Sequence, residues 1–273
     1  MKVEIIVPVI NLWQKYTSPC LDSIFEAMIR AKVHNIDSHI LLIDNNSTDE
    51  TSREASKLES ELFHYHKNSD RWGFQRSVNF GMMYAWENKM DFGLVCNNDI
   101  VMHPEAIWRL VERFDKGDVA MVTGMPVDGE MKAANLIPSL ISTLNAKDKE
   151  SVEETEHPCF SMIMINKPCW EIVGEFDELF APAYFEDNDY HYRMQLAGLL
   201  AILLPTAMFY HYGSMTQNVG SERGRRIVTS EMFEKNRAAF IEKWGGVPTE
   251  EKFQHPYNDE KKSIKSTLQN PSA

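Results

Sequence analysis

The sequence predicts an α/β chain with a mostly parallel central sheet covered by helices on both faces. Three observations carry this. Short apolar runs of strand length alternate with segments of helical period through residues 3–123. The runs at residues 3–9, 39–43 and 92–96 are apolar almost throughout, as strands buried on both faces must be. Polar clusters follow several of them: Asn11, the turn at 44–49, and Asn97, Asn98 and Asp99. Ligands of such sheets bind beyond the carboxyl ends of the strands.

Residues 3–9 form a β-branched run and read as a first strand. Ser18 and Pro19, followed by Leu21, Ile24, Phe25 and Met28, predict a capped amphipathic helix. Residues 39–43 are a second strand, ending in the turn DNNSTD, where Ser47 or Thr48 is expected to cap a helix to about Leu58. Residues 62–66 alternate as a third strand, and residues 75–88 put Val78, Met82, Ala85 and Trp86 on one helical face. A fourth strand covers 92–96. Pro104 opens a helix through Phe114, and 119–123 is a fifth strand. Residues 128–158 have no clear period and read as an insertion or loop. Beyond it come a strand at 160–165, helices at 170–174 and 186–196, and one or two strands over 199–210 broken at Pro205. Residues 228–244 form a long helix with Met232, Phe233, Phe240 and Ile241 inward, and a polar tail follows Gly246.

Composition excludes several classes. The chain has 273 residues, 43% of them hydrophobic and 25% charged, an ordinary globular mixture rather than a disordered or collagen-like one. A net charge of −12 disfavours indiscriminate polyanion binding, which needs a basic surface to displace counterions. The most apolar stretch, 196–210, is too short for a membrane span and contains Gly198 and Pro205. The apolar run at 5–10 lacks the basic and small-residue flanks of a signal peptide. The four cysteines have no CxxC spacing, and three of them sit in apolar surroundings and read as buried thiols, which points to a reducing cytoplasm.

Five constellations could carry chemistry. Asp44 with Asn45, Asn46 and Ser47 could meet a nucleobase or ribose, or could simply be an Asx turn and cap. Asn97-Asn98-Asp99 offers hard oxygen ligands for Mg or Mn, or a plain turn. Glu186, Asp187 and Asp189 crowd one helical turn. A helix dipole favours acids there, yet three exceed the needs of a cap, and one is a candidate general base. His211 ends an apolar strand and is a ligand only if Asp99 lies near it. Lys67, Arg71 and Arg76, and later Arg223, Arg225 and Arg226, could contact phosphate or could be solvated surface.

In order and spacing, these segments resemble the family 2 glycosyltransferases of the GT-A fold, especially their rhamnosyltransferase-like branch. The carriers are IIVPVIN, LLIDNNSTDET, NSDRWGFQRSVNFGMMYA, LVCNNDIVMHPEAIWRL, GEFDELFAPAYFEDNDYHYRMQLAG, FYHYGS and EKNRAAFIEKWG. The resemblance implies one GT-A domain over residues 1–246, with a nucleotide-binding half at 1–125, an acceptor-side half at 126–246 and a polar extension at 247–273. It implies transfer of a sugar from a nucleotide diphosphate donor, UDP- or dTDP-linked, to an acceptor hydroxyl with inversion. Pro8, Asn11, Asp44, Asn46 and Asn98 would then border the nucleotide, with Arg71, Gly73 and Asn79 on its base or diphosphate side. Asp99 would bind a divalent cation, Mn or Mg, with His211 a second ligand. Asp187 would be the base and Glu186 its neighbour. Trp72 and Tyr184 would be pocket walls, and Arg76, Arg223, Arg225 and Arg226 would contact diphosphate or acceptor.

The chain departs from the pattern in two places. The metal motif begins with Asn97 instead of an acid, and Gln75 and Arg76 follow Gly73-Phe74 where small residues are common. No GxGxxG turn follows the first strand, which excludes a dinucleotide-dependent oxidoreductase, and no glycine- and basic-rich first loop marks a nucleotidyltransferase. A non-catalytic sugar-binding protein is the alternative from another class. The acceptor stays open between glycan, lipid-linked sugar, protein and a hydroxylated base in DNA; the last could use the three arginines with Lys261, Lys262 and Lys265.

Overall fold

The computed structural model describes residues 1–115, 119–127, 153–154, 158–213 and 229–254. Its strands are β1 (Lys2–Val9), β2 (Asp37–Asp44), β3 (Phe63–Lys67), β4 (Phe92–Cys96), β5 (Ile100–Met102), β6 (Val119–Val127), β7 (Glu153–Glu154), β8 (Met162–Asn166) and β9 (Leu200–His211). Its helices are α1 (Ser18–Val33), α2 (Thr51–Ala55), α3 (Gly73–Glu87), α4 (Ala106–Glu112), α5 (Lys167–Val173), α6 (Glu186–Leu196) and α7 (Ser230–Trp244). The sheet runs β3-β2-β1-β4-β8-β6-β9-β5, with β7 paired to β9. The first four strands along it are mutually parallel, β8 enters antiparallel between β4 and β6, and β9 returns parallel to β6. This is the expected α/β architecture. Among the described residues no helix is long and apolar enough to cross a membrane.

The sheet's two faces build two cores. Val3, Ile5, Val7 and Val9 of β1 pack with Leu21, Ile24 and Met28 of α1 on one side. Ile6, Leu41 and Ile43 pack with Val78 and Met82 of α3 on the other. Each such fully buried aliphatic side chain contributes roughly 1.5–3 kcal/mol. Two glycines let α3 lie close to the sheet. A Cβ on Gly81 would stand 2.4 Å from Ile6 Cγ2, and one on Gly93 2.3 Å from Met82 Sδ.

Several local expectations are corrected. Ser18 does not cap α1; the chain enters it already helical, through a π-helical turn at Trp13–Thr17. The helix after the Asp44 turn is the short α2, and neither Ser47 nor Thr48 caps it, because both are bonded back toward β1. The helix after Pro104 begins at Ala106, and β5 was not foreseen, three residues being too few to show a period. Pro205 does not break β9; the β6 pairing jumps from Gly124↔Leu204 to Met125↔Met208, which absorbs the proline in a bulge. On α7 the buried residues are Asn236, Phe240 and Trp244, whereas Met232, Phe233 and Ile241 are more than a third exposed. Arg223, Arg225 and Arg226, the acidic stretch before 153 and the lysines of the tail lie outside the described residues.

Candidate active site

The turn after β2 is stitched to the end of β1. Asp44 is fully buried. One of its oxygens accepts from the Ser47 N–H at 2.7 Å, the other from the hydroxyls of Tyr65 at 2.7 Å and Ser52 at 3.1 Å. Asn11 is left-handed (φ 57°), which turns its amide oxygen onto the N–H groups of Thr48 at 2.8 Å and Asp49 at 3.4 Å. Its own N–H donates to Ser47 Oγ at 2.8 Å. Asn46, also left-handed (φ 62°), donates to the Ser69 carbonyl at 3.2 Å and so ties the turn to the loop before α3. Pro8 is half-buried opposite Ile43. Asp44 thus holds a turn, and Asn11 and Asn46 fix how that turn faces the strand ends.

The loop before α3 carries Arg71, which is exposed, and Trp72, whose indole donates to Asp70 at 2.9 Å. The exposed Arg76 guanidinium lies 4.7 Å from the Trp72 ring. Gly73 has φ +78°, and a Cβ there would stand 3.2 Å from Pro182 Cα in left-handed backbone that disfavours side chains. The close approach lets Phe74 N–H donate to the Pro182 carbonyl at 3.1 Å. Asn79, buried in α3, donates to the Phe176 carbonyl and accepts from the Phe176 N–H, both at 2.8 Å. These bonds dock the start of α3 onto the segment that leads into α6.

Asp99 and His211 meet across the β5–β9 pairing, where Ile100 sits opposite His211. Asp99 Oδ1 lies 3.2 Å from His211 Nε2 although 112 residues separate them. Asp99 is buried at 3% exposure, while the His211 side chain is 20% exposed. The other ring nitrogen, Nδ1, lies 3.4 Å from Ser161 Oγ, and Ser161 in turn accepts from the Asn97 amide at 3.3 Å. Asn98 is turned inward and donates to Thr17 Oγ1 at 3.0 Å. This pair fits a hard divalent ion. Two ligands at adjacent corners of an octahedron with ~2.1 Å bonds stand about 3.0 Å apart, close to the distance found. Among the described residues no third His, Cys, Asp or Glu joins them, so further ligands would come from water or a bound phosphate.

The three acids of α6 have separate fates. Asp189 is fully buried and is a structural hub. It pairs with Arg193 at 2.9 Å and Lys243 at 2.6 Å and accepts from the Trp244 indole at 2.8 Å. Glu186 is buried, and burial, reinforced by the neighbouring Asp187 charge, holds its carboxyl well above the usual range. Asp187 is half-buried and accepts from the Asn188 N–H at 2.8 Å. The acids are presented by a strained turn, since Tyr184 and Phe185 both have positive φ (75° and 73°), about 1–3 kcal/mol each for non-glycine residues. Tyr184 also packs its ring against Phe233 at 5.3 Å.

Sequence reasoning missed three polar supports of this site: Ser161 behind His211, Gln75 beside Glu186, and Asn236 behind the 180–185 turn. The signal for Asn236 was its place at i, i+4 and i+8 with Phe240 and Trp244, a polar residue on a buried stripe.

A mostly parallel sheet with its polar cluster at the strand ends, flanked by an acid-rich helix, is the architecture of the GT-A fold. The chain belongs to glycosyl transferase family 2, whose model matches residues 4–171. It is 33% identical over 97 residues to a galactofuranosyl glycosyltransferase of Leishmania donovani; the match covers 35% of this chain and 21% of that protein. Its fold is similar to the mannosyltransferase PcManGT from Pyrobaculum calidifontis in complex with GDP-Man and Mn2+ (TM-score 0.58, 18% identity, 90% of this chain and 66% of that one). It is also similar to GalNAc-T7 with UDP, GalNAc and Mn2+ (TM-score 0.65, 14% identity, 98% and 51%). The chain therefore spans about a fifth of the curated relative and no more than two thirds of either solved structure.

Proposed function

We propose that this glycosyltransferase inverts the anomeric centre of a UDP- or dTDP-linked sugar and transfers it to an acceptor hydroxyl, with Asp187 as general base. The observation that carries the reading is the convergence of Asp99 and His211 to 3.2 Å at the carboxyl end of β4. On this reading residues 1–125 bind the nucleotide, 126–246 form the acceptor side and 247–273 are an appended tail. Asp99 and His211 would hold the Mn or Mg ion, which when bound supplies positive charge to the departing diphosphate. Pro8, Asn11, Asn46 and Asn98 border the nucleotide, with Asp44 and Asn79 as positioning residues. Arg71, Arg76 and Trp72 lie on the diphosphate side, and Arg223, Arg225 and Arg226 are further candidates there.

Asp187 takes the proton of the acceptor hydroxyl while that oxygen bonds the anomeric carbon and the bond to diphosphate breaks. Glu186 is buried beside it with its carboxyl held above the usual range, whereas Asp187 is half-buried and so the acid placed to meet the hydroxyl. One base and a single displacement give inversion. The acceptor hydroxyl belongs to a glycan, a lipid-linked sugar, a protein or a hydroxylated DNA base, and each of these is offered with the donors in the test below. The four free cysteines accord with a reducing compartment, the cytoplasm.

The test is a panel of UDP-, dTDP- and GDP-sugars assayed for hydrolysis and transfer, with chelator and Mn2+ add-back, and the product anomer read by NMR. Asp187→Asn should abolish transfer and leave UDP–Mn2+ binding intact. A fully active Asp187→Asn enzyme sinks the base assignment, a retained anomer sinks inversion, and nucleotide binding without turnover leaves a non-catalytic binder.

A further inference from the structure

The turn that presents Glu186 and Asp187 is held from behind by one side chain of the C-terminal helix. Asn236 of α7 is 1% exposed, and its amide nitrogen points at three carbonyl oxygens of that turn: Phe180 at 2.7 Å, Ala183 at 2.9 Å and Tyr184 at 3.4 Å. From the opposite side Gln75 donates to the same Phe180 carbonyl at 2.9 Å, and Phe74 N–H takes the Pro182 carbonyl. Only a donor suits the place of Asn236, since a carboxylate of the same shape would set an anion against three oxygens. Of the two left-handed residues, Tyr184 carries the last clamped carbonyl and Phe185 follows it, directly before the acids. Strained backbone persists where its surroundings over-determine it. The bonds from Asn236 and Gln75 meet that condition here.

We infer that Asn236 is a positioning residue for the reaction: by holding the carbonyls of residues 180–184 it fixes the left-handed turn that aims Asp187 at the acceptor hydroxyl. The inference rests on the assignment of Asp187 as base. Asn236 itself touches neither substrate nor reacting atoms. Its loss should therefore act on turnover and leave the donor side, Asp99 and His211 included, as it was.

The experiment compares Asn236→Ala, Asn236→Asp and Asn236→Ser with the native chain, using the sugar nucleotide found in the panel and UDP with Mn2+ for binding. Expected are a kcat lowered at least tenfold in the Ala and Asp variants and less in Ser, which keeps one donor. Donor KM and UDP–Mn2+ affinity should stay within about twofold, and the acid limb of the kcat–pH profile should move. Unchanged kcat in a folded Asn236→Ala overturns the inference, as does an equal loss of kcat and nucleotide affinity. If Ala and Asp fail to fold, Ser is decisive; if Ser also fails, Asn236 is a residue of global stability and the inference falls. Asp187→Asn run alongside separates the two claims. An inactive Asp187→Asn with an active Asn236→Ala removes the clamp alone, whereas an active Asp187→Asn removes the base assignment.

Discussion

Glu4 gives the fold a stability that falls as pH rises. It stands in β1, opposite His39 of β2 and Gly93 of β4, on the face covered by α3. The residue is fully buried and neither carboxylate oxygen has a hydrogen-bond partner among the described residues. Burial pushes its carboxyl from 4.5 to about 8. The folded chain therefore keeps this proton where the unfolded chain gives it up, so stability is complete below about pH 4.5 and is lost up to about pH 8. The span is 8 − 4.5 = 3.5 in pH, about 5 kcal/mol at 1.36 kcal/mol per unit. Roughly 3–4 kcal/mol of it falls between pH 5 and 8. Glu4→Gln keeps the shape and removes the titration. Melts of both proteins from pH 5 to 8 should diverge, the native Tm dropping about 10 °C further than the variant's, at ~2–4 °C per kcal/mol. Glu186, whose carboxyl is also raised, acts in the same direction, and His39, whose imidazole burial holds low, in the opposite one. Both are present in the two proteins and cancel in the difference. Parallel Tm profiles would refute the reasoning and mean that water reaches Glu4.

Two further outcomes follow from the same contacts. Asp189→Asn leaves Arg193 and Lys243 without their buried partner and should cost about 3–5 kcal/mol, read as a Tm fall of roughly 10 °C or more; a Tm within 2 °C of native would show that the hub carries no stability. Ser161→Ala removes the group behind His211 Nδ1 and should weaken Mn2+ binding in the presence of UDP about tenfold by calorimetry, with unchanged affinity counting against His211 as a ligand.

Elements whose period is set by burial were legible in the sequence. The strand at 92–96 and the helix at 186–196 fall on the bounds read from it, because each is long enough to bury one face or both. Residues whose partners are distant in the chain were not legible. Ser47 and Thr48 look like helix caps locally, but Asn11, some 36 residues earlier, claims them. The inward face of α7 was misread for a related reason. Apolar count favours Met232 and Phe233, yet the carbonyls of the 180–184 turn require a donor, and that requirement turns Asn236 inward. The Asp99–His211 pair was legible as two polar residues at strand ends; its contact needed β5, which no pattern revealed.

Asn97, the residue that breaks the usual acidic motif, has a physical account in these contacts. Its amide donates to Ser161 Oγ, and its N–H donates to the Ser161 carbonyl at 2.9 Å, so it fixes Ser161 in both main chain and side chain. An aspartate there would have no proton to give Ser161 and would bring a second charge beside Asp99. With the amide in place, Ser161 can give its hydroxyl proton to His211 Nδ1 or accept one from it, and either state leaves the ring anchored. When the Nδ1 proton is donated to Ser161, Nε2 carries the lone pair and faces the Asp99 carboxylate at 3.2 Å, an arrangement that two acceptors hold only with a cation between them. The site thus sets one carboxylate, Asp99, beside a supported imidazole. On the proposed reading the site carries less negative charge of its own and leans on the diphosphate to complete the ion's coordination, so cation and nucleotide should bind more tightly together than either binds alone.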